Sequence, residues 1–317
     1  MDKVLNYTLA AVGVAYAGSF SYLYLRCHDR LAFSKYLSNH FLLLAPLNFL
    51  FTFFIRGPKS SVFDARSVPG LEKIKQNYEA IRAEAKVLLD TGVFQRPPLV
   101  DEPGYSTFEK GGWRMYPLKW YTKECGAAAV KACPKTCAVL DSVPAIRSAM
   151  FTVLPPGARL GRHHDPVASS LRYHLGLLTP NSDQCALMLD GVNHAWKDGE
   201  ELLFDQTYLH STINRTDVVR VILFCDVEKT QLHGPIKRLA ETVNYAMVAK
   251  FTGTHERSSS KLSWVSSALK PIYLARSYVK ENIRPRSMLA YNIIKFGTIA
   301  LVLGLLYQAF SLLGRLF

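Results

Sequence analysis

The middle of the chain is a series of short apolar runs punctuated by turn residues. Runs at 149–154, 172–179, 185–189, 201–204 and 218–225 read as strands, broken by Pro-Pro-Gly, Pro-Asn-Ser, Asp-Gly and Asp-Gly-Glu. The flanks follow other rhythms. Between 71 and 89, Leu71, Ile74, Tyr78, Ile81, Ala85 and Leu88 recur at steps of three and four with Glu and Lys between them, which predicts an amphipathic helix. The aromatic, alternating stretch 113–121 predicts a further strand, 134–143 a short helix, and 92–112, rich in Pro, Gly and charge, a loop. Short strands with such punctuation suggest a double-sheet jelly roll of the cupin kind, mainly β with flanking helices.

Both ends are more apolar. Val4 to Leu25 has no formal charge and is long enough to span a bilayer core, with Arg26, Arg30 and Lys35 just after it. Its bulky end, Tyr22 to Leu25, does not suit a cleaved signal peptide. A second run at 41–55 is short and interrupted by Pro46, so an interfacial or re-entrant segment is expected. The run 296–314 is again long enough to span, bounded by Lys295 and Arg315. The resulting division is a membrane region over 1–60, a jelly-roll domain over 61–230, a basic membrane-surface segment over 231–295 and a transmembrane helix over 296–317. Positive charge on the inner flank of both end helices places the domain between them in the cytoplasm.

Composition sharpens this picture. The 317 residues carry a formal charge of +13 although 49% of them are apolar. From Gly234 to Lys295, eleven Lys or Arg face three Glu, with aromatic residues interleaved. That suits anionic lipid, and no module for nucleic acid is visible. The six cysteines are too irregularly spaced for a disulfide framework and favour a reducing compartment. Cys133 and Cys137 lack the second pair a zinc site needs, so they read as core cysteines.

The candidate chemistry lies in the central stretch. His163, Asp165 and the distant His210 supply the two-imidazole, one-carboxylate set that holds ferrous iron and leaves positions open for a cosubstrate and dioxygen. His163 is chosen over His164 for its two-residue offset to Asp165, and His210 is expected to come from the opposite sheet. Arg220 interrupts the apolar run Val218 to Phe224. A guanidinium there is costly unless it meets an anion; the far carboxylate of 2-oxoglutarate would serve, and Asp205 and Asp226 are alternatives within the chain. His174, taken alone, would be a satisfied core histidine.

These residues also carry a resemblance. The segments around Ala149 to Gly157, His163 to Pro166, Ser170 to Leu177, Trp196 to Glu200, Phe204-Asp205, Tyr208 to His210 and Arg220 to Asp226 resemble the aspartyl/asparaginyl β-hydroxylase family of Fe(II)- and 2-oxoglutarate-dependent oxygenases, on its membrane-bound bacterial branch acting on lipid A. The resemblance implies that His163 and His210 bind the metal and that Arg220 grips the cosubstrate's distal carboxylate. It further implies that Arg172 and His174 line the same pocket, with Thr152 as an additional contact. The peptide-hydroxylating branch has glycine where Asp165 stands, so this chain departs toward a complete triad. The implied activity is hydroxylation at the 2-position of a fatty acyl chain of lipid A at the cytoplasmic face of the bacterial inner membrane. Hydroxylation of a protein Asp or Asn side chain, and a non-catalytic tethered ligand-binding barrel, are the alternatives.

Overall fold

The computed structural model describes residues 2–36, 40–55, 59–94, 112–244, 275, 278–295 and 297–298. Its β part comprises β1 (Val62–Phe63), β2 (Arg114–Trp120), β3 (Ile146–Leu154), β4 (Arg159–His163), β5 (Ser170–Leu178), β6 (Cys185–Leu189), β7 (Val192–Ala195), β8 (Glu201–Phe204), β9 (His210–Asn214) and β10 (Arg220–Glu228). One sheet runs β1-β8-β5-β10-β3-β2 and the other β4-β9-β6-β7, and all pairings are antiparallel. Counted from β3, strands one, three, six and eight share the large sheet, while two, four, five and seven share the small one. That interleaving is the jelly roll expected from the spacing of the strands.

The pleat of the large sheet sorts its side chains. Ala149, Phe151 and Val153 of β3, Leu171, Tyr173 and Leu175 of β5, and Val221, Leu223 and Cys225 of β10 face an outer core. Ile74, Ile81, Ala85 and Leu88 cover that core from one side and Cys133, Cys137 and Leu140 add to it. Met150, Leu154, Ile222 and Phe224, one step out of phase, meet Leu187, Leu189 and Trp196 inside the barrel. Burial on both faces is why β3, β5 and β10 read as nearly continuous apolar runs.

Several expectations are refined. The helix foreseen over 71–89 is two helices, Glu72–Gln76 and Tyr78–Asp90, because Asn77 leaves the helical region and donates its side-chain amide to Lys73 O at 2.9 Å. β1, β4, β7 and β9 are not among the strands read from the sequence: β4, for example, is polar and largely exposed. All six cysteines are free and buried, as core cysteines should be.

At the N-terminus the helix Asp2–Leu25 includes Asn6–Leu25, a stretch long and apolar enough to cross a membrane and 18% buried. Among the described residues no other helix qualifies. The second apolar run forms the helices His40–Leu43 and Ala45–Phe53, with Pro46 in the first turn of the latter, where its missing N–H costs nothing. Nine residues rise only ~14 Å, about half a bilayer core. Of the basic segment, residues 231–244, 275 and 278–295 are described, and its helix Gly234–Val243 packs through Ala240 against Phe51. The apolar run 296–314 lies, apart from 297 and 298, outside the described residues.

Two positions expose the fold to simple tests. A Cβ at Gly176 would sit 2.0 Å from Lys197 O, so Gly176→Ala is expected to cost about 3 kcal/mol in a denaturant or thermal melt, the upper end for overpacking. Asp205 is buried between Lys229 at 3.2 Å and Arg26 at 3.5 Å and accepts the Thr207 N–H at 2.9 Å. Asp205→Ala strands a fully buried ammonium, and the same melt should show a loss of about 3–5 kcal/mol.

Candidate active site

Three side chains converge at one end of the small sheet. His163 ends β4 and His210 opens β9, and the two residues are register partners across the ladder. His210 therefore comes from the neighbouring strand of the same sheet and not from the opposite one, because the return strand pairs directly with β4. Their rings lie 4.2 Å apart between centroids. Asp165, in the loop after β4, places Oδ1 3.5 Å from His163 Nε2 and 4.0 Å from His210 Nε2. All three ligand atoms fall within 4.8 Å of one another, a spacing that one metal ion could satisfy.

Backbone carbonyls set the tautomers. His163 Nδ1 donates to Gly161 O at 2.8 Å and His210 Nδ1 to Tyr208 O at 2.9 Å, so in each neutral ring the Nε2 lone pair is the one that could ligate a metal. His164 points the other way: it is buried and its Nδ1 donates to Thr207 O at 2.8 Å. It is thus His163, and not its neighbour, that the fold brings together with Asp165 and His210.

Charges around the trio are arranged for cation binding. Burial favours neutral Asp165, but the hydrogen bond from His163 and the charges of Arg172 and His210 hold its carboxyl well below the usual range. Burial opposes charge on His163, yet the hydrogen bond and charge of Asp165 outweigh it and raise its pKa. Burial first, then the charge of His163, pushes His210 down to about 3.

The inner face of the large sheet supplies the rest of the cavity. Thr152, Arg172, His174, Phe224 and Arg220 line it together with the trio and Trp196. Arg220 is 3% exposed, and neither Asp205 nor Asp226 pairs with it. Its Nε has no hydrogen-bond partner, its guanidinium lies 4.4 Å over the Trp196 ring, and burial lowers its pKa to about 10. Thr152 Oγ1 and His174 Nε2 are likewise buried without partners. Trp196 Nε1 donates to His174 Nδ1 at 3.3 Å, so the His174 proton sits on Nε2. Burial, then Arg172 and Arg220, drive the His174 pKa far down and keep the ring neutral. A cationic fork, a hydroxyl and an imidazole N–H, all unsatisfied in one cavity, fit a small dicarboxylate.

Arg172 is arranged differently. Its Nη2 donates to Asp165 Oδ2 at 2.8 Å, its Nε donates to Gln206 Oε1 at 2.7 Å and lies 3.1 Å from Asp226 Oδ1, and its guanidinium stacks 4.0 Å over Phe224. It lines the cavity, but its donors are taken up by Asp165 and its neighbours. Sequence reasoning gave Gln206, Trp196 and Phe224 no role of their own; the period-2 alternation along β10 would have placed Phe224 and Asp226 on the face of Arg220. A second cavity of about 200 Å³, bordered by Arg147, Glu228, Lys229 and Lys237, pairs its charges internally, as in Lys237–Glu228 at 2.8 Å.

Comparison with known proteins agrees with this chemistry. Residues 75–230 match the family model described as Aspartyl/Asparaginyl beta-hydroxylase. The chain is 35% identical over 192 residues to an ornithine lipid ester-linked acyl 2-hydroxylase of Rhizobium tropici, covering 59% of this chain and 65% of that protein. It is 27% identical over 169 residues to the human aspartyl/asparaginyl beta-hydroxylase, covering 51% of this chain and 21% of that one. The chain thus spans less than two thirds of either relative. A Pseudomonas putida prolyl-4-hydroxylase structure, 18% identical, aligns over 48% of this chain and 86% of its own at a TM-score of 0.35; the fold assignment rests on the strand order described above.

The raised pKa of His163 has a measurable result. A metal must displace the proton of His163 whenever pH lies below that pKa, which is above the ordinary histidine value. Affinity for Co(II) should therefore fall about tenfold per unit as pH drops through and below this point, with one proton released per ion, in calorimetric titrations. His210, already neutral down to about 3, adds no second step.

Proposed function

We propose, starting from a chain whose residues 75–230 match the aspartyl/asparaginyl β-hydroxylase family model, that it is a membrane-held Fe(II)- and 2-oxoglutarate-dependent dioxygenase that hydroxylates the 2-position of a fatty acyl chain of lipid A. The observation that carries this reading is the cavity in which three unsatisfied polar groups, Arg220, Thr152 and His174, stand beside the trio His163, Asp165 and His210.

His163, Asp165 and His210 would hold the metal, and Arg220 the distal carboxylate of the cosubstrate, with Thr152 and His174 donating to it. Bound Fe(II) with 2-oxoglutarate supplies the oxidant: dioxygen is split between a hydroxylated carbon and succinate, with loss of carbon dioxide. The protein's own part is to bind, orient and keep dry. Arg172 turns Asp165 so that Oδ1 faces the two imidazoles while Oδ2 is occupied. His174, neutral and pinned by Trp196, donates without bringing a second charge beside Arg220. Phe204, Phe224, Leu187 and Trp196 exclude water from the walls.

The substrate reading rests on chemistry at the mouth and beyond it. Leu160 and Thr212, register partners on the cavity side of the small sheet, line the cavity and are only partly buried. Arg162, one residue before His163, is paired with Asp29 immediately after the long N-terminal helix. A lipid tail leaving a bilayer that holds this helix would therefore have a short path to the trio. The charge of +13 suits a phosphorylated, anionic headgroup, and the basic residues after the helix support a domain on the cytoplasmic face of the inner membrane. Dioxygen and an anionic lipid surface are then the remaining partners, and nucleic acid is not one. The Rhizobium relative favours a second reading, in which the acyl chain belongs to an ornithine lipid. Asp165 in place of the glycine of the peptide-hydroxylating branch weighs against protein substrates.

Mass spectrometry of lipid A and ornithine lipids from cells with and without the gene separates these readings. The expected result is a lipid A species heavier by one oxygen that disappears on deletion and is not restored by His163→Ala or His210→Ala. An unchanged lipid A with an altered ornithine lipid selects the second reading, and no change in either refutes the acyl-hydroxylase assignment. In purified protein Arg220→Lys keeps the charge but loses the planar fork, and should raise the 2-oxoglutarate KM about 10- to 100-fold with a smaller effect on kcat.

A further inference from the structure

The loop that carries Asp165 joins β4 to β5, and it is gripped on both sides by the apolar N-terminal region. Ahead of Asp165, His164 is 1% exposed. Because its Nδ1 donates to Thr207 O, its Nε2 must accept, and the donor is the Tyr36 hydroxyl at 3.1 Å. Tyr36 Oη in turn accepts the Leu31 N–H at 3.2 Å, and Phe41 packs on the His164 ring with centroids 4.4 Å apart. Behind Asp165, Asn48 clamps the chain: its Nδ2 donates to Pro166 O at 2.9 Å and its Oδ1 accepts the Ala168 N–H at 2.8 Å.

Asn48 is 1% exposed in the apolar helix Ala45–Phe53. A buried amide there is costly unless satisfied, and its side-chain partners belong to this loop. The hydrogen-bonded series Tyr36, His164, Thr207 also ties the residue just after one imidazole ligand, His163, to the segment before the other, His210. Arg26 reinforces the same point, its Nη2 donating to Thr207 Oγ1 at 2.6 Å. None of these groups lines the cavity.

We propose that Tyr36 and Asn48 are positioning residues for the metal-ligating carboxylate, so that the apolar N-terminal helices set the geometry of the metal site as well as holding the domain at the bilayer. The inference rests on the reading that His163, Asp165 and His210 bind a metal. The loop around Asp165 has no helix or strand of its own to fix it, and the anchor supplies the missing rigidity. The metal site and the membrane region then behave as one unit.

The test uses the full chain in lipid nanodiscs, with Co(II) as the probe, read by calorimetry and by its visible absorption, together with amide hydrogen exchange of the metal-free protein. Tyr36→Phe keeps the ring and removes only the hydroxyl; Asn48→Leu keeps the volume and removes both loop bonds. The expected result is a Co(II) Kd raised about tenfold in Tyr36→Phe and more in Asn48→Leu, an altered absorption band, and faster exchange at 163–168. Tyr22→Phe, on the long N-terminal helix and packed on Phe49 and Phe53 rather than on the loop, should behave as wild type. If Asn48→Leu fails to fold, Tyr36→Phe carries the comparison alone. Wild-type affinity, band and exchange in Tyr36→Phe would overturn the proposal while leaving the metal reading intact. A wild-type chain that takes up no Co(II) removes both.

Discussion

The constraint on which the rest depends is the pleat of β3, β5 and β10. These strands are buried on both faces, and successive side chains must point to opposite sides. One phase therefore builds the outer core under the helices, and the other delivers Thr152, Arg172, His174, Arg220, Phe224 and Asp226 to the interior. A slip of one residue in any of the three would exchange the two sets, placing guanidinium groups under the helices and leaving aliphatic residues to face His163, Asp165 and His210. The outer core fixes the register, and the register fixes the chemistry.

Within the barrel two arginines on adjacent strands have been given different tasks by their surroundings. Arg172 lies in a run of carboxylates, with Asp226 on one side and Asp165 on the other, and Asp226 is itself held by Ser148 at 2.9 Å and Tyr121 at 3.0 Å. Arg220 has aromatic and apolar neighbours and no carboxylate among the described residues. The first is satisfied within the protein. The second is a buried cation awaiting an anion, the kind of unmet polar demand that marks a binding site more reliably than does its shape.

How much of this was legible in the sequence follows from burial. β3, β5, β6, β8 and β10 could be read because their apolar runs end in Pro, Gly and Asp turns. Arg159-Leu160-Gly161-Arg162-His163 could not, because β4 gives one face to solvent and its end to the metal trio. That His163, Asp165, His210 and Arg220 belong together could be read from residue type and order, yet the sheet of origin of His210 could not, since separation along the chain does not say whether a returning strand pairs with or faces its predecessor. Asn48 and Tyr36 looked like incidental polar residues in apolar segments. Their partners lie more than a hundred residues away, and only the fold brings them together.

The tight turn between β6 and β7 has its own consequence. Asp190 and Gly191 both have positive φ, the conformation that Asp-Gly adopts in a two-residue hairpin. The Asp190 carboxylate, freed to point outward, accepts the backbone N–H groups of His28 and Asp29 at 2.8 and 3.0 Å, just where the long N-terminal helix ends. With the neck pinned there and at Asp205 and Thr207, the barrel has no swivel beneath its helix. The tilt of the helix on the barrel is therefore set by the fold itself, at a hairpin turn and at the segment ahead of His210.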